Sequence, residues 1–256
     1  MAFAQSSYIL NQGRVFIAER NFNGADVTGL IWVGDADNVE LTVTQKTDKI
    51  KDSFTGKGLT VANPVTETDA MLKINALDMA MQNWAMATWG DDSGAKIAGS
   101  VAGESIVLFN GQHTKLANIG VSNVVVAGAV VDTDYVLDTA AHGMLRCLAS
   151  SPAAPLNAPL TTTVAYDYAA NNGKVEAFVL GQKFYRIVVA GINTAQGNQP
   201  TILEVRQVQL EMAKKFDFIG KKHMAFELSG ELLLDGLRSL ATEPGDLSQF
   251  FSWEKA

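Results

Sequence analysis

Thiol and imidazole chemistry have almost nothing to work with in this chain, which carries one cysteine and three histidines in 256 residues. A lone Cys147 excludes an intramolecular disulfide and a thiolate-held metal cluster. Its apolar setting, LRCLA, suits a small packed hydrophobe. His113, His142 and His223 have no histidine at i+2, i+3 or i+4, and each reads as a surface or turn residue instead of a metal ligand. Basic charge is short as well: 20 Lys and Arg stand against 27 Asp and Glu, a net of −7. That balance excludes a protein that wraps nucleic acid, because a basic footprint is needed to neutralise phosphates.

Other absences narrow the reading further. No Gly-x-Gly-x-x-Gly or phosphate-binding loop occurs, and Gly56-Lys57-Gly58 has neither the spacing nor a following apolar helix. Glu227 and Glu231 lie four apart in strand context, the pattern of a solvated face and not of an acid–base pair. The residues therefore point to no enzyme, cofactor or metal. Neither long uncharged run suits a bilayer helix: Leu116–Val131 is broken by Asn118, Ser122 and Asn123, and Cys147–Tyr166 holds three of the six prolines. The first residues show no basic head followed by an apolar run, so no Sec signal is expected. With 47% hydrophobic and 18% charged residues, the chain has the composition of a folded globular protein with a real core.

What is present is period-two alternation. From Ile202 to Asp235, Leu203 and Val205 alternate with Glu204 and Arg206; after a slip, Val208, Leu210 and Met212 alternate with Gln209 and Glu211. Met224, Phe226 and Leu228 then alternate with His223, Glu227 and Ser229. Such alternation marks strands with one buried and one wet face. The slip would turn every later side chain to the wrong face, so a β-bulge is predicted at Arg206-Gln207. Two long strands joined by a short basic connection form the expected sheet nucleus.

Earlier strands are predicted at 13–18, at 30–33 and at 38–45, where Val39, Leu41 and Val43 alternate with Glu40, Thr42 and Thr44. Lys46–Ala62 has isolated apolar residues but no period, and reads as either a disordered segment or a long binding loop. Pro64–Leu77 alternates again. Asp78–Gly90 is the one predicted helix, with Asp78 as N-cap and Gly90 as left-handed stop. Eight of the eleven residues Met79–Trp89 are apolar, as in a helix packed on a core. Short strands follow at 105–109, 121–126, 135–138 and 144–148, with a corner at His142-Gly143, and a further alternating segment at 160–169. The predicted organisation is a discontinuous main domain, 1–94 with 171–256, interrupted by an all-β insertion at 95–170. Phe178–Val189 returns the chain to the main sheet. The tail closes with Glu243-Pro-Gly245 and the aromatics Phe250, Phe251 and Trp253, which suit docking on a neighbouring subunit or on the same core.

The order of these elements resembles the major tail tube proteins of long-tailed bacteriophages. The resemblance rests on Gly13-Arg-Val-Phe-Ile-Ala18, on Trp32-Val-Gly-Asp35 and on Val39-Glu-Leu-Thr-Val-Thr-Gln45 with the long loop after it. It rests further on Thr68–Gly90, on Asp132–Asp138 with Met144-Leu-Arg146, and on Val205–Asp235. It covers about two thirds of the chain. The resemblance implies a mainly β fold, a sandwich or half-barrel of antiparallel strands with one flanking α-helix, that joins into a ring-wide β-barrel on oligomerisation. It implies a homo-hexamer stacked into a helical tube that conducts DNA without specific binding. Tape measure, tail-tip and terminator proteins would be partners at the tube ends. The setting would be the virion tail, assembled in the host cytoplasm, with no membrane.

Residue by residue, the expected channel lining is Glu40, Thr42, Thr44, Glu227, Ser229 and Glu231, an acidic and hydroxylated wall that repels phosphates. The expected ring-stacking loop presents Lys49, Ile50, Lys51, Asp52, Phe54, Lys57 and Leu59. The insertion is expected on the outer surface, leaving less room for a sheath, which favours a flexible non-contractile tail. Two alternatives stay open: the tube protein of a contractile injection system, and a β-sandwich surface-binding module.

Overall fold

The protein is described as a computed structural model covering residues 11–54, 57–216, 218–221, 223–238 and 248–255. The predicted turn Glu243-Pro-Gly245 lies outside the described residues. Its strands in chain order are β1 (Asn11–Arg20), β2 (Ile31–Trp32), β3 (Ala36–Thr47), β4 (Ile50–Lys51), β5 (Thr60–Ala62) and β6 (Val65–Ala76). The helix α1 (Met81–Thr88) comes next. It is followed by β7 (Asp91–Asp92), β8 (Gly99–Leu108), β9 (His113–Lys115), β10 (Val121–Val126), β11 (Tyr135–Thr139), β12 (Met144–Cys147) and β13 (Leu160–Tyr168). Then come β14 (Val175–Glu176), β15 (Phe184–Asn193), β16 (Gln199–Leu210), β17 (Phe226–Leu232) and β18 (Phe251–Lys255). Among the described residues the fold is mainly β, with antiparallel sheets and one α-helix. Among the described residues no helix is long and apolar enough to cross a membrane.

The chain divides into two compact units, 1–91 with 175–256 and 92–174. The expected boundaries at 94/95 and 170/171 fall a few residues inside the second unit. Ser93 and Lys174 bond to each other there, Ser93 N donating to Lys174 O at 3.0 Å and Lys174 N to Ser93 Oγ at 2.9 Å.

In the first unit one sheet runs β2-β1-β15-β16-β17-β6-β3, and β18 also pairs with β16. Its core-facing residues include Val15, Ile17, Leu72, Ile74, Ile187, Val205, Val208, Phe226 and Leu228, all at most 3% exposed. Each such side chain stabilises the fold by about 1.5–3 kcal/mol relative to full exposure. The bulge is where the slip in alternation places it. Tyr185 faces Val208 and Ile187 faces Val205, so Arg206 and Gln207 together oppose Arg186. The extra residue keeps Val205 and Val208 both on the core face.

The bulge is also a fork. Before it, β16 pairs with β18; after it, the same edge pairs with β17. Arg206 N donates to Phe250 O at 2.8 Å, and Gln207 O accepts from Leu233 N at 2.9 Å. This corrects the predicted hairpin. β16 and β17 share only three paired positions, and fifteen residues, 211–225, connect them. β17 pairs mainly with β6, from Phe226↔Ala76 to Glu231↔Met71. Phe251 packs on the unit's own core, while Trp253 stays 48% exposed.

Several boundaries differ from expectation. The strand predicted at 30–33 shrinks to Ile31–Trp32, and that predicted at Phe178–Val189 begins only at Phe184, after a left-handed Phe178 at φ 63°. The helix starts at Met81 with Ala80 as N-cap, not Asp78. Asp78 instead accepts from Ala80 N at 3.1 Å, one step ahead of the helix. The left-handed stop is Trp89 at φ 48°, not Gly90. A Cβ on Gly90 would lie 2.7 Å from Glu176 O, so close approach, not backbone freedom, calls for glycine there. The helix buries Asn83, Ala87 and Thr88, while Trp84 stacks on Phe216 with centroids 4.8 Å apart. Asn83 is fully buried because its amide donates to Val33 O at 2.7 Å and Asp78 O at 3.0 Å.

The second unit has its own core of Ile106, Leu108, Leu116, Val121, Val126, Tyr135, Leu145, Cys147, Val164 and Tyr166. Two three-stranded sheets enclose it, β10-β13-β8 and β11-β12-β9. Cys147 packs there at 1% exposure as a small hydrophobe. The expected corner is a 3-10 turn, Ala140–His142, closed by left-handed Gly143. The strand β9, His113–Lys115, is too short to announce itself by periodicity.

Candidate functional site

The six predicted lining residues lie on one face of the sheet, three on β3 and three on β17, the strands on either side of β6. In the β3–β6 ladder Glu40 faces Lys73, Thr42 faces Met71 and Thr44 faces Asp69. In the β17–β6 ladder Glu227 faces Asn75, Ser229 faces Lys73 and Glu231 faces Met71. Directly paired residues share a face, so two rows cross the sheet: Glu40, Lys73, Ser229, and Thr42, Met71, Glu231. The opposite face carries Val39, Leu41, Leu72, Ile74 and Leu228 into the core. Ser229 departs from the expected wet position, being only 9% exposed, with both neighbouring strands flanking it. Glu40, Thr42, Thr44, Glu227 and Glu231 are exposed.

Pattern reading had overlooked the cations of this face. Lys73 bonds Glu227 at 2.6 Å, and Lys46 bonds Glu67 at 2.6 Å with Asp69 at 3.8 Å. The hydrogen bond that Lys73 donates to Glu227 holds its pKa above the ordinary lysine value, and the one that Lys46 donates to Glu67 does the same for Lys46. Across the face, the carboxylates Glu40, Glu67, Asp69, Glu227 and Glu231 stand against Lys46 and Lys73, leaving a net of −3. The alternation of β6 held this signal, since Glu67, Asp69, Met71, Lys73 and Asn75 fall on its wet side.

The segment read as a patternless loop is a two-stranded arm. Ile50 pairs with Ala62 and Lys51 with Thr60, while Asp48 N donates to Pro64 O at 3.0 Å and Asp52 N to Leu59 O at 2.7 Å. The β3–β6 ladder thus continues outward as a hairpin. The period was invisible because neither side of the arm meets the core. Phe54 is 97% exposed, Leu59 59% and Ile50 52%, and Lys49, Lys51 and Lys57 are exposed too; Asp52 is half-buried. Beyond the arm, β3 ends the sheet path, its outer edge unpaired among the described residues over twelve residues without proline.

On the outer side of β1, β15 and β16 lies an ion network that nothing in the sequence announced. Arg186 contacts Asp26 at 3.1 Å and Glu204 at 2.6 Å, Arg20 contacts Asp26 at 2.9 Å, and Arg206 pairs with Glu204. Asp235, 3.4 Å from Arg20, balances the third arginine, and the network is structural, fixing the strands around the bulge. The histidines form no centre: His113 meets Asp138 at 3.2 Å on an exposed surface, and among the described residues no group of three potential metal ligands occurs.

Fold and face together define a mainly β, antiparallel protein with a single helix, a polar acidic sheet face and a projecting hairpin arm. The chain belongs to the family described as "Protein of unknown function UCP028589", which matches residues 8–254. A comparison with curated proteins finds no match.

Proposed function

We propose that this protein is the repeating subunit of a bacteriophage tail tube, a homo-hexameric ring that stacks into a hollow conduit for DNA. The observation that carries this reading is the acidic face of β3, β6 and β17, which stands at the free end of a sheet and runs out into an exposed arm. Three needs of a conduit meet there. A wall with net negative charge repels phosphates, so DNA slides without sticking. A long unpaired edge strand is a hazard in a monomer and is consumed when sheets join around a closed ring. An arm with unpartnered apolar side chains gives a contact along the tube axis.

The test is negative-stain electron microscopy of concentrated purified protein, with rings or tubes as the expected result. A monodisperse monomer at all concentrations would overturn the reading in favour of a surface-binding module. Deleting Asp52–Lys57 removes the arm tip without touching the core, and should leave a folded protein that no longer forms tubes. Normal tubes from that deletion would remove the arm from the stacking contact.

A further inference from the structure

An arm that stacks needs a surface to stack on, and the first unit has an open cleft. A cleft of about 440 Å³ opens between the start of β1 and the start of β3. Val15, Val39, Val189, Leu203 and Trp253 form the apolar part of its lining, Asn11, Gln12, Asn38 and Thr201 are polar, and Asp37 is its one charged lining residue. We infer that this cleft is the socket for the arm tip of a second copy of this chain, with Phe54 as the inserted side chain. The inference rests on the tube reading.

Three observations converge on it. First, the socket and the arm sit at opposite ends of the same strand. Asn38 lines the cleft and Thr47 ends β3, nine residues on, which at about 3.3 Å per residue is roughly 30 Å. The arm therefore leads away from its own cleft, and a displacement of one copy along the strand axis brings arm to socket. Such a head-to-tail contact does not close on itself, so it builds a filament. Second, the apolar surfaces match: Phe54 at 97% exposure and Leu59 at 59% have no partner within the chain's core, while Trp253 is 48% exposed beside Leu203. Covering an aromatic in an apolar pocket is the usual anchor of an interface. Third, the charges complement each other. Lys49, Lys51 and Lys57 outnumber Asp48 and Asp52 on the arm, and the cleft presents Asp37.

Ser53→Cys and Asn38→Cys introduced together provide the test, both positions being exposed and Phe54 being left in place. Oxidation of assembled protein should give a ladder of disulfide-linked dimers, trimers and longer chains on a non-reducing gel, while either single variant gives dimers at most. Tubes visible by microscopy without a ladder would overturn the socket and leave the tube reading standing. Absence of tubes from the unaltered chain as well would overturn both. An intramolecular disulfide in a monomeric Phe3→Cys, Asn38→Cys variant would also overturn the socket, by showing that the chain's own first residues fill the cleft.

Discussion

Asp134 shows how one carboxylate can organise a turn. It is 5% exposed and accepts from Ser151 Oγ at 2.7 Å, Ala153 N at 3.0 Å and Val130 N at 2.8 Å. The hydrogen bond from Ser151, followed by those from Ala153 and Val130, holds its pKa below the ordinary carboxylate value. A lowered pKa means that the folded state favours the ionised form. The stabilisation is therefore complete above the unfolded value, near pH 4, and is lost as pH falls through the folded one. Asp134→Asn should have a lower denaturation midpoint at neutral pH, and the gap should close on acidification below about pH 4 as the wild-type carboxylate becomes protonated. A gap independent of pH would show that shape, not charge, sets the contribution. Nothing in the sequence joins Asp134 to Ser151, because they lie seventeen residues apart and irregular turns have no period to read.

Strands were legible wherever one face meets the core and the other does not. β3, β6, β13, β16 and β17 all carry the alternation, and the bulge at Arg206-Gln207 followed from a single slip in it. Elements with weaker amphipathic contrast were not legible: the arm is wet on both sides, β2 is two residues long, and the last turn of the helix ends on a left-handed tryptophan that propensity disfavours. Partner choice also escaped, since alternation gives a strand's faces but not its neighbour, and β17 pairs at six positions with β6 but at only three with β16. Reading the bulge as one extra residue makes a sharp prediction. Deleting Gln207 should leave a cooperative fold, because Val205, Val208 and Leu210 keep their faces; the loss is the bond from Leu233 N and the buried Gln207 side chain, about 1–3 kcal/mol. Deleting Gln209 turns Leu210, 1% exposed, out of the core, which costs about 2–5 kcal/mol in that one side chain. Urea midpoints should therefore rank wild type, then the Gln207 deletion, then the Gln209 deletion. Equal losses from the two deletions would contradict the bulge assignment.

At the scale of the whole molecule the sign of the charge is the property on which the proposed tube would depend. The chain is acidic at net −7, and the face of β3, β6 and β17 carries five carboxylates against two ammonium groups. In the proposed tube, a net of −3 per subunit repeated around a closed ring would give a wall that DNA cannot grip, with the potential additive along the axis. Each Glu→Lys change moves the face by two charges, so Glu40→Lys with Glu227→Lys takes it from −3 to +1. Both side chains are exposed, and the Lys73–Glu227 pair that is lost lies on the surface, where ion pairs contribute little to stability. Rings and tubes should therefore form as before. What should change is passage: each new lysine can hold a phosphate and release counterions, so ejection of DNA through variant tubes should slow, and should slow most at low salt. The neutral pair Glu40→Gln and Glu227→Gln separates attraction from altered shape, since it removes charge without creating a phosphate grip, and ejection through it should stay near the wild-type rate. If the lysine variant forms normal tubes and ejects DNA at the wild-type rate at every salt concentration, this face does not line the channel.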